Sequence, residues 1–155
     1  MSLIICVGNR YQATDAAGPL VYEHLAQAEL PPGVELIDGG LAGLDLSLFM
    51  DQAERIVFVD AVSASDSQSG VVVLTADDVE KDAPDTYDHS AGLGYMLRAA
   101  RRTSDGPLPE IFVVGIAGVP DPGTIMTAAD LCVSIAAGDH LAEQGQGART
   151  AGGER

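Results

Sequence analysis

Residues 8–18 read GNRYQATDAAG, and this stretch joins a predicted strand to a predicted helix. The run LIICV stands immediately before it and is typical of a strand that is buried on both faces. Gly8 and Asn9 adopt a left-handed backbone at low cost, so they suit a sharp exit from that strand. Pro19 suits the first turn of a helix, where its missing N–H costs nothing. The stretch therefore predicts a strand–loop–helix unit with Asp15 where the loop becomes the helix.

The rest of the sequence continues this alternation of strands and helices. Apolar runs predict further strands at 34–37, 56–59, 71–74 and 111–114, and helical spacing predicts helices at 19–28, 44–49, 90–102 and 127–143. The simplest fold for this order is a three-layer α/β/α sandwich around a mostly parallel, twisted sheet. The short connection before the fourth strand predicts that this strand lies antiparallel beside the third. The buried face of the first helix is predicted to carry Leu20, Val21, His24, Leu25 and Ala28.

Composition limits the classes of function. The 155 residues contain 23 acidic and 8 basic residues, which gives a net charge of −15. Such a charge repels DNA, RNA and anionic lipid, so we expect no nucleic-acid binding. No apolar run reaches the roughly 18 to 20 residues that span a bilayer, and no secretory signal stands at the start of the chain. We therefore expect a cytoplasmic protein without membrane insertion, and we favour a monomer.

One domain is predicted over residues 1–143, because the chain is long enough for a single substantial core. The Gly-rich residues 144–155 predict a flexible tail. Cys6 and Cys132 are too few for a disulfide framework, and both stand in apolar segments. We expect both thiols to be buried in the core.

Three side chains that can bind a metal fall at predicted strand ends or in loops. Asp15 follows the first strand, Asp60 ends the third, and His89 precedes the third helix. In open parallel sheets, sites form beyond the carboxyl ends of strands where the strand order reverses. If the first and third strands are neighbours, Asp15 and Asp60 converge, and a long loop can bring His89 between them. Two carboxylates and one imidazole leave coordination positions open, as a catalytic or substrate-held metal requires.

Each of these side chains has a structural alternative. Asp15 can cap the following helix, Asp60 can accept hydrogen bonds from backbone amides, and His89 can be a surface histidine. The spacing of the residues does not decide between these alternatives. The sequence does lack the glycine-rich fingerprints of nucleotide-binding loops and the G-x-S-x-G motif of serine hydrolases.

Four short motifs, in order, resemble those of a known protease family. They are a strand followed by Gly8-Asn9, Asp15 and Gly18; DGGLAG at 38–43; VDA at 59–61; and DHSAGL at 88–93. The set resembles the hydrogenase maturation endopeptidases, which are nickel-dependent proteases that act on large subunits of nickel–iron hydrogenases. The resemblance extends from about residue 3 to the final helix. It implies a five-stranded α/β/α fold of the phosphorylase/hydrolase-like type.

The resemblance also implies an activity and a set of site residues. Asp15, Asp60 and His89 would occupy the three metal-ligand positions and carry the catalysis. The nickel would arrive inside the large-subunit precursor and would not be a permanent cofactor. The enzyme would then remove a short C-terminal extension from that precursor. Recognition of the precursor is implied for a set of loop residues, namely Asn9, Asp38, Gly39, Gly40, Leu41 and Gly43.

Two positions depart from the family pattern. Thr14 stands where the family usually has a second acidic residue, and Leu41 stands where it usually has threonine. Because Leu41 replaces a hydroxyl with an apolar side chain, it brings the choice of precursor into question. These departures support an alternative function, a maturation chaperone that binds a precursor without cutting it. An unrelated small-molecule hydrolase on the same fold is a third hypothesis, based on fold analogy alone.

Overall fold

A computed structural model describes residues 1–41, 44–62, 70–81 and 92–139. Its strands are β1 (Ser2–Val7), β2 (Val34–Gly40), β3 (Arg55–Val62), β4 (Val71–Thr75) and β5 (Glu110–Ala117). Its α-helices are α1 (Ala17–Ala26), α2 (Ala76–Lys81), α3 (Gly92–Thr103) and α4 (Pro122–Ala136). Short 3-10 helices cover Ala13–Asp15 and Leu44–Phe49. Every helix in these four segments is too short or too polar to cross a membrane.

The strands form one five-stranded sheet in the order β2-β1-β3-β5-β4. Four strands are parallel, and β4 alone runs antiparallel, along β5. The mostly parallel five-stranded sheet is therefore confirmed, as is the adjacency of β1 and β3. The predicted neighbour of β4 was wrong, because β5 lies between β3 and β4. Strand β5 is buried along nearly its whole length and suits the interior of the sheet, whereas the partly buried β4 suits an edge.

Two hydrophobic cores lie on opposite faces of this sheet and confirm the three layers. Alternate residues of β1 point to opposite faces, so Ile4 and Cys6 pack with α1 and α4 while Leu3, Ile5 and Val7 pack with α3. Both faces of the strand are fully buried, as the apolar run predicted. The sheet is therefore covered on both sides, and only its edges remain for a site.

The junction between β1 and α1 depends on one close approach of two backbones. A Cβ atom at Gly18 would overlap the carbonyl oxygen of Val7 and would lie 2.7 Å from the Val7 carbonyl carbon. Helix α1 therefore begins directly against the end of β1, at Ala17. This position sets the buried residues of the helix, which are Ala17, Gly18, Pro19, Val21 and Leu25. The predicted face was wrong for Leu20, His24 and Ala28, which are exposed.

Several predicted boundaries also change. Helix α4 starts at Pro122 rather than at residue 127, because Asp121 caps it by accepting a 2.8 Å hydrogen bond from the Thr124 N–H. It ends at Ala136 instead of near 143, just before Gly138 takes a left-handed φ of 83°. Helix α2 was not among the predicted helices. Residues 63–69 of the connection before the fourth strand, the predicted tail at 144–155 and the end of the proposed domain lie outside the described residues.

Both cysteines are free and belong to the same core, and we expect their thiols to resist modification. Burial raises the pKa of the Cys6 thiol to about 12, and the charge of Asp38 adds to the shift. Burial likewise raises the pKa of Cys132 well above its usual value. Because the thiolate is the reactive form, a disulfide reagent at pH 8 should react at least about 100-fold more slowly with the native protein than with the denatured chain. Rapid reaction of either thiol without denaturant would contradict this core assignment.

Candidate active site

The candidate site lies at the point where the strand order of the sheet reverses. From β1 the chain passes to β2 on one side, and it then returns to place β3 on the other side of β1. In open parallel sheets, sites form at such a reversal, beyond the carboxyl ends of the two strands, which here are β1 and β3. Asp15 stands in the loop after β1, and Asp60 stands in the last part of β3.

Asp15 is held by the loop that contains it. The Asn9 N–H donates to the Asp15 carboxylate at 3.1 Å and to the Asp15 carbonyl at 2.9 Å. Gly8 makes this contact possible, because its φ is 143° and a Cβ there would overlap the Asp15 carbonyl oxygen. The predicted alternative, a helix cap, was wrong: the cap residue of α1 is Ala16, and it makes no side-chain capping bond. The carboxylate instead closes its own loop.

Asp60 is fixed by its neighbour in the chain. The Ala61 N–H donates to the Asp60 Oδ1 at 2.8 Å, which confirms the expectation that this carboxylate accepts from a backbone amide. Asp60 is partly buried, and its register partner on β5 is Gly115, which has no side chain to cover it. Among the described residues, no hydrogen bond reaches Asp60 Oδ2 or Asp15 Oδ1. Each carboxylate thus has one oxygen bound to backbone and a second oxygen for other partners.

Asp15 is near enough to Asp60 to affect the protonation of the Asp60 carboxylate. Burial raises the pKa of Asp60 from 3.8 to about 7, the hydrogen bond from Ala61 lowers it, and the charge of Asp15 raises it again. A pKa near neutrality at a strand end is typical of functional carboxylates, because structural ones are usually stabilised in the ionised form. A cation placed between Asp15 and Asp60 would relieve both the burial cost and the repulsion.

The end of β2 meets the loop after β1 at the same edge. The Gly8 N–H donates to the Gly40 carbonyl at 2.8 Å, and Arg10 lies 3.6 Å from the Asp38 carboxylate. Asp38 also accepts from the Gly40 N–H at 3.0 Å, so its side chain shapes the turn. Strand β2 continues through Gly40, whereas the sequence predicted a break at Asp38. The sequence analysis missed the ion pair of Arg10 with Asp38, because the spacing of the two residues along the chain does not predict that they meet.

Two further residues of the predicted recognition set lie near this junction of β2 with the loop after β1. Gly39 packs so closely on β1 that a Cβ atom there would lie 2.8 Å from a methyl carbon of Val7. Leu41 is 73% exposed and directly follows β2. Gly43 and His89 lie outside the described residues, so the convergence of His89 with the two carboxylates stays a prediction. No group of three metal-binding side chains occurs within the described parts of the chain.

Comparisons with known proteins agree with this architecture. A family model described as hydrogenase maturation protease matches residues 19–127, a range that includes positions 60 and 89. The Hydrogenase 2 maturation protease of Escherichia coli (strain K12) is 30% identical over 121 residues, which cover 74% of this chain and 71% of that protein.

Two solved structures show the same fold. The hydrogenase maturating endopeptidase HybD from E. coli superposes with a TM-score of 0.64 at 26% identity, over 86% of this chain and 87% of that one. The nickel–iron hydrogenase maturation protease HycI from Thermococcus kodakarensis superposes with a TM-score of 0.60 at 20% identity, over 87% and 89% of the two chains. The second likeness is evidence for the fold alone.

Proposed function

Because the chain belongs to the hydrogenase maturation protease family, we propose that it is an endopeptidase that removes a short C-terminal extension from the large-subunit precursor of a nickel–iron hydrogenase. The observation that carries the proposal is the pair Asp15 and Asp60 at the reversal of the strand order. The pair stands beside the reversal of strand order, where open parallel sheets form their sites, and burial and the charge of Asp15 raise the pKa of Asp60 to about 7.

The metal in this proposal belongs to the substrate. Nickel already inserted in the precursor would polarise the scissile carbonyl or a water molecule beside it. Asp15 and Asp60 would bind that ion through the oxygens that backbone amides leave open, and His89 would supply the third ligand. Carboxylate and imidazole donors both suit nickel. A precursor without nickel could not bridge to these side chains, so metal loading would precede cleavage.

The protein's own contribution is a site arranged in advance. The Asn9 and Ala61 amides hold the two carboxylates at fixed positions before a precursor arrives. A metal-bound peptide that enters between them is therefore oriented without further ordering of the loop. Near neutral pH, Asp60 exchanges a proton readily, since its pKa is about 7, so it is the better candidate for moving a proton during hydrolysis.

The direct test is the mass of the precursor. We would co-express the chain with a nickel-loaded large-subunit precursor and follow the precursor by mass spectrometry. The proposal expects a loss of mass equal to a C-terminal peptide, and no loss from precursor produced without nickel. Binding without any loss of mass would favour the maturation chaperone instead, for which the exposed Leu41 at the recognition loop is the supporting observation.

A single substitution tests the third ligand. We expect His89→Ala to lower cleavage at least about 100-fold, because a two-carboxylate site binds nickel less tightly and less selectively. The matched control is His140→Ala, which removes another of the three histidines from a position with no predicted role. Circular dichroism should show both variants folded. Full processing by the His89→Ala variant would remove His89 from the site.

A further inference from the structure

We infer that apolar side chains around the carboxyl edge form a docking surface for the precursor, and that this surface selects a partner segment in which an apolar side chain is flanked by lysine or arginine. The inference rests on the proposed function for the identity of the partner. We call the set the apolar collar, and it consists of Tyr11, Leu20, Leu41, Val119 and Met126.

The collar accounts for most of the exposed large hydrophobic side chains in the described residues. Five of the seven such side chains belong to it, with exposed fractions of 90% for Tyr11, 73% for Leu41, 67% for Val119, 54% for Met126 and 38% for Leu20. The other two are Met1 and Leu48. Single exposed hydrophobics are ordinary on a protein surface, but a group concentrated at one edge marks an interaction site.

The fold places the collar on both sides of the two carboxylates. Leu41 follows β2, Tyr11 follows β1 and Val119 follows β5, and the carboxyl ends of these parallel strands share one edge. Neighbouring strands are about 4.8 Å apart, so the collar extends roughly 14 Å along that edge, from β2 to β5. Asp15 and Asp60 lie between its ends. A protein that brings a peptide to these carboxylates must therefore rest on the collar.

One side of the collar contains a groove that can accept a side chain. Its volume is about 390 Å³, and it runs along α1 from Leu20 to Gln27, beside the start of α4. Leu20, Ile125 and Met126 supply apolar walls, and Glu23, His24 and Asp121 stand in the same lining. In protein interfaces, apolar side chains that insert into such grooves and are surrounded by polar residues usually contribute most of the binding free energy.

The charge around the collar determines which partner segment can bind there. Arg10 is the only lysine or arginine in the described loops and first helical turns that follow β1, β2, β3 and β5, and it is paired with Asp38. The acidic residues near the collar include Asp15, Glu23 and Asp121, and the whole chain has a net charge of −15. A second copy of the chain would bring the same negative charge, so its docking is opposed. A basic segment with an apolar anchor complements the surface in both respects.

The test compares two faces of the protein. Leu20→Glu combined with Met126→Glu places two carboxylates in the groove, and Leu48→Glu makes the same change at a side chain that is 70% exposed outside the collar. We would measure binding and cleavage of the nickel-loaded large-subunit precursor. The double variant should weaken binding and raise KM at least about tenfold with kcat nearly unchanged, while Leu48→Glu should alter neither. Because all three positions are exposed, thermal unfolding should stay close to that of the wild type.

Each outcome separates the docking surface from the catalytic proposal. Unchanged binding and KM in the double variant would overturn the collar even if the wild type cleaves normally. A precursor that binds but stays uncut would overturn the proposed protease activity. The binding constants of the variants would still test whether the collar is the docking surface. Raised ionic strength should weaken wild-type binding, and a lack of salt dependence would contradict a basic partner segment. A wild-type dimer that the double variant dissociates would assign the groove to a second copy and overturn the proposal.

Discussion

Asp60→Asn is expected to abolish precursor cleavage and, at the same time, to make the protein more stable at pH 8. The loss of activity should be at least about 100-fold, since an amide cannot replace a carboxylate as a ligand or accept the proton. The gain in stability follows from the position of the carboxyl, which is partly buried and near Asp15. Asparagine keeps the shape and the oxygen that accepts from Ala61 but removes the charge.

The size of the stability change depends on pH. The pKa of Asp60 rises from 3.8 to about 7 in the folded protein, so between these values the unfolded chain releases a proton that the fold retains. The contribution of Asp60 to the free energy of unfolding therefore falls as pH rises from about 4 to about 7. The full shift corresponds to roughly 4 kcal/mol, and the partial exposure of the group reduces this to about 1 to 3 kcal/mol.

Urea unfolding of the wild type and the variant at several pH values measures this difference. The Asp60→Asn variant should be the more stable protein at pH 8, and the two should converge near pH 4. The control is Asp51→Asn, which removes the same charge from an exposed position and should change neither activity nor the pH dependence. A variant less stable than the wild type at pH 8 would show that Asp60 supports the fold, and the site assignment would lose its main argument.

Gly18→Ala is expected to destabilise the whole domain by at least about 3 kcal/mol. The added Cβ would overlap the Val7 carbonyl oxygen and would lie 2.8 Å from the Val7 nitrogen. These atoms belong to the backbone of a fully buried strand that pairs with β2 and β3, so they cannot move aside. Helix α1 would have to shift away from β1, and the loop that holds Asp15 would shift with it.

Thermal and urea unfolding would measure this loss, with Gly106→Ala as the matched control. Gly106 has no atom within 4 Å of an added Cβ and no left-handed φ, so its substitution should stay within about 0.5 kcal/mol of the wild type. We expect Gly18→Ala to accumulate as unfolded or aggregated protein at 37 °C. Comparable stability of the two variants would mean that α1 does not approach β1 as closely as described.

The sequence was sufficient for the architecture of the sheet because burial patterns are local. The apolar run of β1 and the alternation of strands with helices predicted the layers, and the order of motifs predicted the family. The pairing of β4 was not predictable in this way, because spacing along the chain does not show that β5 occupies the position beside β3. The start of α4 was missed although Asp121-Pro122 is a recognisable helix start.

The candidate site was predicted in part, for a comparable reason. Asp15 follows β1 and Asp60 lies in the last part of β3, and these strands are neighbours, as the predicted convergence required. The hydrogen bond from Asn9 to Asp15 and the ion pair of Arg10 with Asp38 depend on how two loops meet. Contacts between loops leave no periodic signal in a sequence. The apolar collar was missed because its members come from five separate positions that only the fold brings to one edge.

The bond from the Asn9 amide to Asp15 has a consequence for kinetics. The Asp15 side chain is already held by a hydrogen bond, so it loses almost no rotational freedom when a precursor binds. Little of the binding free energy is therefore spent on ordering this side chain. The association rate constant of the precursor should then be set by diffusion and long-range electrostatic attraction, with no slow rearrangement of Asp15. Discrimination among precursors would consequently come from differences in their dissociation rates.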